Sequence, residues 1–151
     1  NVDPTAAREM LEEIVDAAVK APNTVVKARA LLAVAALYTK IDMDRAVAVV
    51  ALAIECVNRI EQADFSRQFV IRKIEGKTFG MYATIVTAGY MPETALAEIS
   101  TVDFDNMLTQ ASRLHDKPLR AITILAIAER CLKSSRPNKS RQTTTEPKVV
   151  P

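Results

Sequence analysis

The sequence predicts a mainly α protein: antiparallel helix pairs in a short solenoid-like or bundle arrangement, with one β-hairpin inserted at about residues 66–86. Three observations lead there. Apolar residues recur at helical spacing over most of the first 133 residues. Ala, Val, Leu and Ile dominate while Trp is absent, a mix that lets helices approach closely. The three glycines, Gly76, Gly80 and Gly89, fall within fourteen residues, in the same stretch as Phe65, Phe69, Phe79, Tyr82 and Tyr90. Glycine serves backbone that needs positive φ or close approach, and aromatics supply large contact areas. Residues 65–90 are therefore a different kind of structure set into a helical body.

Each element has a local cause. Asp3-Pro4 supplies a cap and a proline at the first helical position. Met10, Leu11, Ile14, Val15, Ala18 and Val19 then follow at helical spacing, and Pro22-Asn23-Thr24 breaks the helix and caps the next. The second helix runs from about Val25 to Lys40 and is apolar all round from Ala30 to Tyr38, so it is expected to be buried on several sides. Asp42 caps a third, from about Met43 to Gln62, with an equally apolar first half. In the next stretch Phe79, Met81, Ala83 and Ile85 alternate with polar or small residues, a period of two that predicts a half-buried strand. Phe69, Val70, Ile71 and Ile74 suggest its partner, with Glu75-Gly76 at the turn. The competing assignment is a short helix over 66–75 ended by Gly76. Pro92 opens a short helix to about Ser100, Asp103 caps one over Phe104–His115, and Lys117-Pro118 opens the last, to about Lys133.

Residues 1–133 read as one domain with the hairpin set in at 65–90, a length that can bury a sizeable core. Residues 134–151 are Ser, Thr, Pro, Lys and Arg with little apolar content, which predicts a disordered basic tail. The net charge is +2. The tail holds four cations (Arg136, Lys139, Arg141, Lys148) against Glu146, a balance of +3 that leaves −1 on residues 1–133. A near-neutral body gives no general attraction to nucleic acid or to an anionic membrane. The longest apolar runs, Ala30–Tyr38 and Ala46–Ile54, are nine residues each, far short of the roughly 20 needed to span a bilayer. Cys56 and Cys131, 75 residues apart, form neither a disulfide framework nor a metal-type pair, which points to a reducing, cytoplasmic setting by default. The chain begins at Asn1, without an initiator Met, consistent with a processed chain or with a fragment carrying further repeats upstream.

An internal echo accompanies the helices. Lys27-Ala28-Arg29-Ala30-Leu31-Leu32-Ala33-Val34-Ala35 aligns with Arg120-Ala121-Ile122-Thr123-Ile124-Leu125-Ala126-Ile127-Ala128, with four of nine positions identical and three more similar. Each follows a helix holding a Met-Leu pair, Met10-Leu11 or Met107-Leu108, and a proline-containing break. Repeated helix–turn–helix units suggest a stack. On these residues the chain resembles alpha-helical repeat domains of the tetratricopeptide or HEAT type, as in uncharacterised bacterial proteins. The resemblance implies protein interaction and brings no catalytic residue.

Several groups of residues bear on possible chemistry. His115 is the single histidine and adjoins Asp116. A general base, or a metal ligand with Asp103 or Asp105, competes with a cation at a helix C-terminus, and the helix-end role is favoured because a metal needs several convergent ligands. Cys56 and Cys131 lie in apolar helices, where packing outweighs nucleophilic chemistry. Glu12-Glu13-Asp16 and Glu93/Glu98 read as solvated helix faces. Gly76-Lys77-Thr78 lacks the earlier glycine of a phosphate-binding loop. No cofactor or metal is expected, and no enzymatic activity. Arg72, Lys73 and Lys77 are interleaved with Phe69, Phe79 and Tyr82, and this set is the candidate binding surface. The expected function is a non-catalytic protein-interaction scaffold with a protein partner. The alternative is nucleic-acid binding, with cations on phosphate and aromatics under bases.

Overall fold

A computed structural model describes residues 3–61, 63–65, 69–76, 80–86 and 90–134. Six helices and one hairpin follow in the order α1 (Pro4–Lys20), α2 (Val25–Tyr38), α3 (Met43–Asn58), β1 (Phe69–Glu75), β2 (Gly80–Val86), α4 (Pro92–Ile99), α5 (Phe104–Ser112) and α6 (Lys117–Ser134). The helix starts obey the capping chemistry of their sequences. Asp3 accepts from the Thr5 amide at 3.0 Å, Thr24 from Lys27 at 3.2 Å, Asp42 from Arg45 at 3.0 Å and Asp103 from Asn106 at 3.1 Å. Asp116 does the same for α6, accepting from Leu119 at 2.7 Å. α4 has no side-chain cap and begins on Pro92, whose missing N–H needs none.

α2 and α3 form the most extensive helix pair, flanked by α1 on one side and by α4 and α5 on the other, with α6 packed on α4 and α5. The core is correspondingly continuous. Leu31, Leu32 and Tyr38 of α2, Val49, Val50 and Ile54 of α3, Leu96 and Ile99 of α4, and Met107 of α5 are all essentially sealed from water. The all-round apolar middle of α2 is thus explained by neighbours on several sides.

Charged side chains tie α1 to α3. Arg45 reaches Glu12 through two hydrogen bonds, one of them from Nε at 2.8 Å, and Arg8 meets Asp42 at 2.7 Å. The carboxylates of α1 are therefore not all simply solvated, as the sequence had suggested. The guanidinium beside Glu12 is the main reason its pKa lies below the ordinary value. The Tyr38 hydroxyl sits buried beside this pair, outside hydrogen-bonding geometry. Burial, and then the Glu12 carboxylate, push its pKa up.

Several helices are shorter than their sequences predict. α3 ends at Asn58 rather than Gln62, where the Arg59 and Ile60 amides turn to Cys56 and Val57 at 3.1 Å each. Such i→i−3 bonds tighten a final turn and end a helix. α5 ends at Ser112, so His115 lies in the α5–α6 connection and not at a helix C-terminus. The Asn58 side chain holds that connection: its Nδ2 donates to the Arg113 carbonyl and its Oδ1 accepts from the His115 amide, both at 2.8 Å. The two segments that echo each other in sequence have different surroundings. Leu32 is fully buried and its counterpart Leu125 is 69% exposed, while Met10 is exposed and Met107 buried. The predicted tail beyond Ser134 falls outside the described residues.

Candidate interaction surface

The hairpin follows directly from the alternation in the sequence. β1 and β2 pair antiparallel in the register Phe69↔Val86, Ile71↔Thr84, Lys73↔Tyr82 and Glu75↔Gly80, with Val70↔Ile85, Arg72↔Ala83 and Ile74↔Met81 between them. Successive residues of a strand alternate in face. Positions 69, 73 and 82 therefore share one face, and position 72 belongs to the other. Of the predicted binding set, Lys73 and Tyr82 are brought directly opposite each other, Phe69 lies further along the same face, and Arg72 is separated from them. Lys77 and Phe79 lie outside the described residues.

The tip half of the hairpin is open to solvent. Tyr82 is 71% exposed and Met81 52%, and Lys73, Glu75, Gly76 and Gly80 are exposed as well. Lys73 forms an ion pair with Glu75, so its charge is partly spent within its own strand. The sheet contains these two strands alone among the described residues. Among the described residues each strand therefore keeps an outer edge of backbone donors and acceptors. The described glycines need no positive φ, and a Cβ at Gly80 would meet nothing within 4 Å. Of the two uses expected for the glycines, positive φ is found at neither Gly76 nor Gly80, and Gly80, in extended β2, is under no close approach either. Gly89 is outside the described residues.

Ahead of the hairpin in sequence, Phe65 is held by a buried cation. Arg29, in α2, is 3% exposed and donates from Nη2 to the Phe65 carbonyl at 2.8 Å. Its guanidinium also lies 5.7 Å from the centroid of the Phe65 ring, within cation–π range. A cation this deeply buried needs such partners. One signal was available: Arg29 is the last charge before the long apolar run of α2.

Beside this anchor lies a cleft of about 660 Å³ between the end of α3, residues 63–65 and the start of α6. Val57, Phe65, Leu119 and Ile122 give it an apolar wall, with Asp64, His115 and Asp116 around it. The two thiols are not arranged for chemistry. Cys56 is buried, donates to the Thr24 carbonyl at 3.7 Å, and is pushed up in pKa by burial. Such a thiol is a poor nucleophile. Cys131 is half-buried in α6. Among the described residues no group of His, Cys, Asp and Glu is placed to hold a metal ion, and no helix is long and apolar enough to cross a membrane. No protein-family model, curated protein or solved structure matches this chain.

Proposed function

We propose that the protein is a non-catalytic interaction scaffold of helical-repeat type that takes a protein partner along its hairpin by strand addition. The observation that carries this reading is the two-stranded sheet with both outer edges unpaired among the described residues. A two-stranded hairpin is marginal in water by itself and gains from a third strand. An extended segment of a partner supplies one, with main-chain hydrogen bonds for affinity and alternate side chains for selectivity. Tyr82 and Met81 lie exposed on opposite faces and give such a segment apolar contact on either side. The Arg29–Phe65 contact ties the segment that precedes the hairpin in sequence to α2. The buried, high-pKa Cys56 and the exposed position of His115 in a connection agree with a non-catalytic role.

The test uses partners captured from cells on the full chain and on a chain in which residues 66–86 are replaced by a short linker. Capture by the full chain and its loss in the replaced but still helical variant are expected. Unchanged capture would make the hairpin purely structural and overturn the reading. Changing Arg72 and Lys73 together to Ala separates the partner classes. A protein partner paired through backbone loses little affinity. A nucleic acid would bind far more weakly, with a salt dependence shallower by about one unit per lost phosphate contact.

A further inference from the structure

α6 is apolar on two sides. Thr123 and Ile127 are sealed within the body, where α6 packs on α4 and α5. Ala121, Leu125, Ala128 and Leu132 lie on the other side, spaced four, three and four residues apart, which is the seam spacing of two helices packed along their length. Leu125 and Leu132 are each 69% exposed, Ile122 beside them is 55% exposed, and both alanines are exposed. A surface helix with one buried side would carry polar residues here.

We propose that this face receives a second copy of the chain, α6 against α6, antiparallel about a two-fold axis. The inference is independent of the hairpin and of the scaffold role. Three observations support it. The aligned positions on α2, Ala28, Leu32 and Ala35, are all fully buried under neighbouring helices, so the same pattern elsewhere in this chain is one that helices cover. Residues 135–151 do not suit the face: their large apolar side chains are Val149 and Val150 alone. The stripe is also complementary to itself. In an antiparallel pair centred between residues 126 and 127, Leu125 meets Ala128 of the second copy and Leu132 meets Ala121. Each large side chain faces a smaller one, and the two-fold axis repeats every contact. A parallel pair would set Leu on Leu and Ala on Ala, leaving gaps at the alanines that close packing disfavours.

The seam from Ala121 to Leu132 is about 17 Å long at the helical rise. One helix pair of that length covers less than the roughly 800 Å² per partner of a standard interface, so the dimer is a weak one. Sedimentation equilibrium of the full chain from roughly 10 μM to 1 mM, which brackets the affinities of weak association, reads it directly. A reversible rise toward the dimer mass is expected, and Leu125→Glu is expected to weaken it at least tenfold without lowering the melting temperature, since Leu125 is an exposed site. A chain that stays monomeric throughout overturns the proposal, as does a dimer indifferent to Leu125→Glu. Removal of residues 135–151 leaves the dimer unchanged. If it strengthens the dimer, the tail is the occupant and the proposal fails. The hairpin-replaced chain dimerises like the full chain whether or not the partner reading holds. Orientation is read in a Cys131→Ser background carrying either Ala121→Cys or Leu132→Cys. The two proteins mixed are expected to form a disulfide with each other, and neither is expected to form one alone, because bridged Cα atoms must come within about 7 Å. A disulfide within the Ala121→Cys protein alone would show a parallel pair and overturn the register.

Discussion

Leu32 and Leu125 occupy equivalent places in two similar stretches of sequence, yet one is fully buried and the other 69% exposed. Leu32→Ala is expected to destabilise by roughly 2–5 kcal/mol, the range for emptying a sealed core site, as read by denaturant unfolding. Leu125→Ala should change the monomer by less than about 0.5 kcal/mol, as surface sites do. Equal losses at the two positions would mean that α6 is covered on both sides. Gly80 offers a second contrast. Its φ is not positive and a Cβ there meets open space, so Gly80→Ala is expected to be neutral or to stabilise by up to about 1 kcal/mol through the unfolded chain. A clear loss in the same unfolding measurement would show that the backbone there is under a constraint only glycine meets.

At the scale of elements, α1 and α3 are joined by the Glu12–Arg45 contact. The Glu12 carboxyl is lowered from its ordinary value of 4.5 chiefly by the Arg45 hydrogen bonds. A depressed carboxylate stabilises the fold above its unfolded value and loses that contribution as pH falls through its folded value. Stability should therefore hold above about pH 4.5 and decline below it, and Glu12→Gln should flatten this decline. Both side chains are about one-third exposed, so the effect is no more than about 1 kcal/mol. Chemical unfolding from pH 3 to 7 checks it; a Glu12→Gln protein with the same acid profile would show that the pair contributes nothing. The hairpin is an element of a different sort. Its described neighbours are chiefly its own strands, so replacing residues 66–86 should leave the helical far-ultraviolet signal and cooperative melting in place. Loss of cooperativity would show that the hairpin is part of the core.

For the molecule as a whole, apolar burial dominates and charge contributes little. The core runs continuously from Leu11 of α1 to Ile127 of α6, whereas the ion pairs between described residues have side chains that are one-quarter to two-thirds exposed. Raising sodium chloride from about 0.05 to 0.5 M should shift the unfolding free energy by less than about 1 kcal/mol, since exposed pairs are weak and screened. A larger loss, followed by denaturant unfolding at each salt level, would place the α1–α3 charges at the centre of stability.

The helices, their starts and the hairpin were legible in the sequence, because capping, proline placement and the two apolar periods act over a few residues. Asp3, Thr24, Asp42 and Asp103 each cap the helix they were expected to cap. α3 and α5 end sooner than their local patterns imply: Asn58 ties one end to the other across 55 residues, and no local pattern carries that bond. Of the candidate site, the sequence located the strands and the exposed Tyr82. The pairing register then separated Arg72 from Lys73 and Tyr82, since faces alternate with each residue. Local sequence marks Arg29 only by its place before an apolar run and cannot name its partner, Phe65, which lies 36 residues away. Likewise, similar nine-residue stretches gave no hint that Leu32 would be sealed and its counterpart Leu125 left bare. Local sequence determines which elements form, through interactions between near neighbours. Which faces are covered depends on what packs against them, and only the tertiary structure decides that.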